Sequence, residues 1–544
     1  MPEPLGSYAH PSDADELLRH VDEAISEGNI EGVVDRRRDL LDWANDSALD
    51  ETRRIRAAIL ASQLFLPRME VRSAAQSLSP YLTSGKTIEP RRKPIQRLKR
   101  SNSKCLGGLA LAEMANVLFR SFRSEEGEKL GIEALELLKA RKSDQGGFGS
   151  LFVELSVVLA HVWWARLAWQ VGKEGEARAC LDEQLDRLGE MRWQYPAKPG
   201  GINWAAAIVL DLSADLALAA AQHDLALRQI ERALILMQDG VHDSPRLGHI
   251  LYVAGRVAGS FVDRKSLGWP VRLFERSKEA YPDDHPFQFR AANQMAQCFV
   301  KAGDLTKAEG LLTDAVKRLE EAKELASDQR AFCQAELRLT RIWILERRAQ
   351  AGMLDWTSCR SEAAELLRES EDLPRRLQGE AALHYALSLV ACGEPRAALR
   401  HLERAGELAA KDGRATLDAA VRLAFVEAHL RAGNERNAMR AWEHAEERLS
   451  TAKSGYLQEW RERLASRMNK PLSILLHPDW PLKAAESEFR KSYLRFQIER
   501  SRGVMTTLAQ NIQVPRTTLL RWIKELDLEG VGPERRRGRP PRSK

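Results

Sequence analysis

No Cys-x-x-Cys pair occurs in this sequence. Its six cysteines (Cys105, Cys180, Cys298, Cys333, Cys359 and Cys392) lie scattered through helical patterns. That spacing excludes a zinc ribbon and a disulfide framework, and it predicts buried free thiols in a reducing compartment. Aromatic residues are scarce at 6%, while charged residues reach 29%, a balance that suits long helices with solvated faces. The first twenty residues have no apolar core and carry acids, so no secretory signal is read there. No run reaches the ~18 apolar residues of a membrane span. The most apolar stretch, Leu151–Trp169, is interrupted by Glu154, His161 and Arg166. No membrane partner is expected, and the chain reads as cytoplasmic.

Enzyme signatures are missing as well. None of the twelve histidines falls in His-Glu-x-x-His or in a Cys/His cluster of zinc spacing. No Gly-x-Ser-x-Gly elbow occurs. Ser84-Gly85-Lys86-Thr87 mimics the end of a phosphate loop, but Pro80 stands where the leading glycine is needed. Asp144–Ser150 is glycine-rich yet follows a helical pattern, not a strand. His384, His401 and His429 read as partly exposed helix residues. Trp163, Trp164 and Trp169 fall at helical spacing and read as core. The expectation is a non-enzyme with no metal ligand and no cofactor.

What is present is helical periodicity. Asp13–Leu82 carries three apolar stripes, one through Leu17, Leu18, Val21 and Ile25, one at Leu40, Leu41 and Trp43, and one from Ile55 to Leu66. Residues 1–84 are therefore read as an N-terminal helical cap. Residues 85–104 hold two prolines and eight cations against one acid when counted from Ser84, and read as an exposed basic loop. Beyond Cys105 a small-residue pattern recurs. Gly303, Ala308 and Ala315 stand at offsets of 0, 5 and 12, as do Gly393, Ala398 and Ala405, then Gly433, Ala438 and Ala445, and Ala221, Ala226 and Ala233. Gly172 and Ala177 give the first pair. Seven residues ahead of the lead positions lie Ala165, Ala214, Ala296, Ala386 and Val426. A turn residue that ends one helix, followed by alanines that let the next pack closely, is the grammar of a helical hairpin. Residues 105–450 resemble tetratricopeptide (TPR) repeats of a degenerate kind. Stacked hairpins form a concave surface, and the resemblance implies a protein or peptide partner in that groove.

The charge balance points to the other end. The chain carries +6 overall, yet the residues from Pro481 onward hold fifteen Lys and Arg against seven Asp and Glu. A basic end on a near-neutral body suggests one polyanion-binding module. Residues 451–480 read as a linking helix and a proline-bearing hinge. In Arg516–Leu528, Leu519, Ile523 and Leu526 form an apolar stripe, while Arg516, Thr517, Thr518, Arg521 and Lys524 sit off it. Pro515 breaks the chain just before. Two short helices with a tight turn, the second basic, make a helix-turn-helix.

Residues 481–530 resemble the Fis-type DNA-binding domain. Pro481-Leu482-Lys483, Tyr493-Leu494 and Ile498-Glu499-Arg500 match its first helix, and the run from Ala509 through Arg516, Thr517, Thr518, Arg521 and Lys524 to Leu528 keeps its register without a gap. The family's turn is usually Leu-Gly-Ile; here it is Ile512-Gln513-Val514, and Trp522 replaces a lysine. The resemblance implies DNA contacts from Arg516, Thr518 and Arg521, and a homodimer paired around Phe489–Arg500. The tail 531–544 ends in RRRGRPPRSK, whose Arg537-Gly538-Arg539-Pro540 looks like an AT-hook core. Arginines flanking a glycine can enter the narrow minor groove of A·T-rich DNA.

The expected fold class is all-α, a TPR-like solenoid of helical hairpins followed by a small helix-turn-helix domain. The expected function is DNA-binding transcriptional regulation in a bacterial cytoplasm, nucleoid-associated, with a protein or peptide signal received by the repeats. The alternative is an interaction scaffold that uses its C-terminal end only for non-specific localisation on double-stranded DNA.

Overall fold

The computed structural model describes residues 11–468 apart from short segments (69, 84–87, 101–102, 142, 239–240, 242, 261–265, 323–324, 326, 413 and 450–454), and then 486–487, 490–491, 493–494, 497–498, 505–526 and 528. Among these residues the regular structure is helical, and the only strand-like pairing is an isolated bridge between Leu82 and Pro90. The chain divides into two compact units, Met1–Leu457 and Gln458–Lys544.

The first unit opens with α1 (Pro11–Ser26), α2 (Arg37–Asn45), α3 (Glu51–Phe65), α4 (Val71–Ser77) and α5 (Arg92–Lys99). Helix α5 corrects the expectation of a loop over 85–104. Ile95 and Leu98 lie three residues apart and are both buried, so one face docks while the cations ride on the other. Lys99 reaches Glu133 at 2.5 Å. Counting cations hid a short amphipathic pattern.

Eight hairpins follow. They pair α6 (Lys104–Arg120) with α7 (Ser124–Lys139), α8 (Ser150–Gln170) with α9 (Glu174–Gln194), and α10 (Pro199–Ala219) with α11 (His223–Gln238). Next come α12 (Ser244–Ser260) with α13 (Gly268–Glu279), α14 (Pro286–Ala302) with α15 (Leu305–Glu321), and α16 (Ser327–Gln350) with α17 (Trp356–Glu369). The last are α18 (Arg375–Ala391) with α19 (Pro395–Asp412), and α20 (Ala415–Arg431) with α21 (Glu435–Leu449). Helix α22 (Gly455–Met468) runs across the division between the units.

One turn geometry repeats through the array. Phe122, Gly172, Ala221, Gly303, Gly352, Gly393 and Gly433 all have φ between 59° and 92°. After each, the next backbone N–H bonds back to the carbonyl five residues earlier at 2.8–2.9 Å, as from Asp304 to Phe299 and from Asn434 to His429. This is the Schellman closure of a helix C-terminus. Glycine enters that conformation freely; Phe122 and Ala221 do so at about 1–2 kcal/mol each. The alanines at offsets 5 and 12 are buried, from Ala177 to Ala445, with exposures of 0–4%. The partners on the preceding helices, Ala165, Ala214, Ala296, Ala386 and Val426, are at 0%. Small side chains thus set the close approach of each helix pair. The α6–α7 hairpin obeys the same offsets, with Gly127 and Ala134 behind Phe122.

Helices α8 and α10 are long and apolar enough to cross a bilayer by length and composition, with mean hydropathy 1.5, contrary to the sequence expectation. Their apolar windows are 78% and 83% buried inside the array. A helix apolar all round is accommodated by neighbours on every side.

The first unit then closes on itself. Arg375 at the start of α18 pairs with Glu125 at the start of α7, 250 residues away, at 2.5 Å. Arg414 lies over the Trp169 ring at 6.0 Å, and Phe122 stacks on Phe332 of α16 with centroids 5.1 Å apart. The hairpins therefore complete one circuit around an axis.

In the second unit the described helices include α23 (Met505–Asn511) and α24 (Arg516–Glu525). Leu494, Ile498, Leu508, Ala509, Leu519, Ile523 and Leu528 form their shared core.

Candidate functional site

Two arginine-bearing surfaces stand out, one in each unit. On α24 the apolar stripe is turned inward as expected: Leu519 and Ile523 are buried and Leu526 packs against them. Arg516, Thr517, Arg521 and Lys524 are exposed and Thr518 is half-buried. Thr517, Arg521 and Lys524 stand at i, i+4 and i+7, so they share one face. Arg521 is 3.6 Å from Glu525, one turn along. Trp522, at the position where the resembling family usually has lysine, is half-buried under Arg490, whose guanidinium lies 5.3 Å from the ring. It serves the small core, not the outer face.

The turn between α23 and α24 repeats the closure seen in the array. Gln513 has φ 54°, and the Val514 N–H bonds to the Ala509 carbonyl at 3.1 Å. Pro515 then holds an extended ψ of 138° and the chain re-enters helix at Arg516. The sequence-predicted residues of α24 are thus brought to one exposed helix. Arg537, Arg539 and the rest of the tail lie outside the described residues, as do Phe489 and Arg500 at the ends of the expected dimer contact.

The second surface was not anticipated. A cavity of about 430 Å³ lies on the axis of the first unit. Residues from α6, α8, α10, α12, α14, α16 and the start of α18 line it, and eight of them are arginines against three acids. Several arginines lie on aromatic rings. Arg290 is 5.2, 4.8 and 5.3 Å from the ring centroids of Tyr252, Phe287 and Phe332, and Arg166 is 4.9 Å from that of Phe119. Such stacking stabilises a guanidinium while leaving its N–H edge available.

Most of the positive charge is matched. Buried Glu336 takes Arg290 at 3.2 Å and also Arg376. Burial opposes its ionisation, but those two guanidiniums outweigh burial and hold its carboxyl below the ordinary range. Asp215 behaves likewise: burial raises its pKa, Arg256 and Arg166 lower it further, and the carboxylate persists. Asp215 is bound to Arg256, and Asp211 to His249 at 2.7 Å. Arg166 has neither an ion pair nor a hydrogen bond among the described residues, although its exposure is only 9%. Burial followed by the positive charges of Arg166 and Arg246 pushes the Arg120 guanidinium well below its ordinary value.

The other sequence-level candidates stay structural. Trp163 and Trp169 are buried and Trp164 half-buried, though Trp169 also faces the cavity. Five cysteines are buried and Cys392 is half-buried. The glycine-rich loop before α8 is held by Asp144, which accepts from the backbone of Cys105 and Gly146. Among the described residues no group of three His, Cys, Asp or Glu is placed to hold a metal ion.

These features define an all-α protein of the helical-repeat class. No protein-family model matches the chain, and no curated protein matches it. Among solved structures, the chain is similar to the apo form of the quorum sensor NprR from B. thuringiensis, at 12% identity over 73% of this chain and 99% of that one, with a TM-score of 0.47. It is similar to a Rap protein complexed with competence and sporulation factor, at 13% identity over 78% and 99%, TM-score 0.47. It is also similar to human IFIT1 with m7Gppp-AAAA, at 12% identity over 95% and 99%, TM-score 0.40. At these identities the likeness concerns the helical-repeat architecture alone.

Proposed function

We propose that this protein is a non-catalytic, DNA-binding transcriptional regulator, acting in the cytoplasm on nucleoid DNA. The array receives a protein or peptide partner and the C-terminal end binds double-stranded DNA. The observation that carries this reading is α24: five polar or cationic residues, Arg516, Thr517, Thr518, Arg521 and Lys524, stand at the surface of a short helix whose apolar face is buried. Gln513, with its positive φ, and Pro515 set it off from α23. Arg516 and Arg521 would reach base edges, Thr517, Thr518 and Lys524 would hold the backbone, and Arg537 and Arg539 would enter an adjacent minor groove. A homodimer paired upstream of α23 would present two such helices to half-sites about one helical turn apart.

The test is a truncation ending at Trp480. The intact protein should retard duplex DNA with a steep salt dependence, and the truncated protein should not. Retention of DNA binding by the truncated chain would sink the reading. Equal binding of every sequence by the intact chain would favour the scaffold alternative.

A further inference from the structure

The axial cavity holds a feature that the DNA-binding reading does not use. Arg166 is buried on all but 9% of its surface, faces the cavity from α8, and has no carboxylate or carbonyl partner among the described residues. Of the two carboxylates that act on it, Asp215 is bound to Arg256, and Asp211 lies against His249, whose imidazole is held below its ordinary pKa by burial; neither forms an ion pair with Arg166. A buried guanidinium with no direct hydrogen bond or ion pair is costly to a fold and persists where a ligand supplies the contact. Arg120 faces the same space from α6 and crowds more positive charge against it.

A second observation concerns shape. The Phe122 ring stacks on Phe332 at 5.1 Å across the closure of the circuit. Phe122 holds φ 59° to put it there, at a turn where most other hairpins carry glycine. Trp169 faces the same cavity. Rings and guanidiniums alternate along the cavity wall, with Arg290 on Phe332 and Arg414 on Trp169.

We propose that the cavity binds a small phosphomonoester carried on a planar ring, with the phosphate held by the guanidiniums of Arg166 and Arg120 and the ring lying against Phe122, which Phe332 backs. A phosphate dianion matches adjacent guanidinium forks in charge and in geometry. The volume of about 430 Å³ suits one nucleotide-sized molecule, not a chain threaded through the array. Nothing in this depends on the C-terminal unit.

The experiment uses the full chain and four probes: adenosine monophosphate, adenosine, inorganic phosphate and a hexaglutamate peptide, each titrated calorimetrically. Adenosine monophosphate should bind, phosphate should bind more weakly and compete with it, and adenosine and the peptide should not bind. Arg166→Gln should weaken the monophosphate at least tenfold, and Arg166→Lys, which keeps a charge beside Asp215 but loses the planar fork, should weaken it severalfold while leaving the unfolding midpoint of the unliganded protein unchanged. Phe332→Leu should weaken the monophosphate severalfold and leave inorganic phosphate unchanged. The proposal is overturned if neither monophosphate nor phosphate binds at millimolar concentration, if adenosine binds as tightly as its monophosphate, or if Arg166→Gln binds like the parent. Preferred binding of hexaglutamate would assign the cavity to an acidic peptide instead. A fall in the unfolding midpoint of Arg166→Lys would make Arg166 a core residue and also overturn the proposal.

Discussion

The arginines of the axial cavity and those of α24 have the same chemistry in opposite surroundings. In the cavity, Arg290 is boxed by three rings and tied to Glu336, and Arg166 is buried over Phe119. On α24, Arg516 and Arg521 stand in solvent. A charge fixed in a poorly screened interior interacts strongly with one small ion at one place. Exposed charges are each weak and screened within about 8–10 Å at ordinary salt, but they add along a polyanion and release its counterions. The array should therefore answer to pH and to a small ligand, and the terminal unit to salt and to nucleic acid.

The largest effect that tests this contrast lies in the array. Glu113 on α6 is buried, and burial pushes its carboxyl up to about 7, opposed by hydrogen bonds from Gln63 and Ser62. The folded state thus holds its proton more tightly than the unfolded chain. Its contribution is intact below the ordinary value of 4.5 and is lost as pH rises through about 7. Glu113→Gln cannot ionise, so at pH 8 it should stabilise the array by up to about 3 kcal/mol and be near neutral at pH 4. Urea unfolding at the two pH values measures it. Identical differences at both would mean that burial does not control this charge, and the contrast between the units would lose one side.

The next effect belongs to α24. Arg516→Ala should cost about 1–3 kcal/mol on the preferred DNA sequence and less on others. Lys524→Ala should weaken all sequences alike and reduce the salt slope by about 1. Gel retardation across a salt series separates the two. A salt-independent loss for both variants would place these side chains in a desolvated setting like that of the cavity.

Much of this architecture was legible in the chain, because it is written in small residues at fixed offsets. The lead positions Gly172, Ala221, Gly303, Gly393 and Gly433 each became a left-handed turn. The hairpin at Phe122 escaped notice because a large residue occupies the lead, although Gly127 and Ala134 kept the spacing. The amphipathic stripe of α24 was equally readable: one helix carries its whole pattern, and Leu519 and Ile523 are where the period put them. The cavity was not readable. Its residues come from helices about forty positions apart, and an arginine or two on a helix looks like an ordinary solvated face. Only the closure of the circuit, marked by Arg375 on Glu125, gathers them. The basic stretch before α6 misled for the opposite reason, since its charge run masked Ile95 and Leu98.

The smallest expected effect compares two strained turns directly. Gln513 and Phe122 both hold a positive φ, 54° and 59°, where an L side chain costs about 1–2 kcal/mol. The Gln513 side chain is exposed, so its replacement by glycine loses no packing. Part of the relief is returned through the greater freedom of glycine in the unfolded chain. Gln513→Gly should therefore stabilise α23 and α24 by about 1 kcal/mol, read as roughly fivefold greater amide-exchange protection there in the full protein. Phe122→Gly relieves the same backbone but removes the ring that stacks on Phe332, an interaction worth about 0.5–1.5 kcal/mol beyond the area it buries. Its net gain should be near zero or negative. If both variants gain equally, the Phe122 ring contributes nothing across the closure, and the aromatic wall of the cavity is incidental to the turn that carries it.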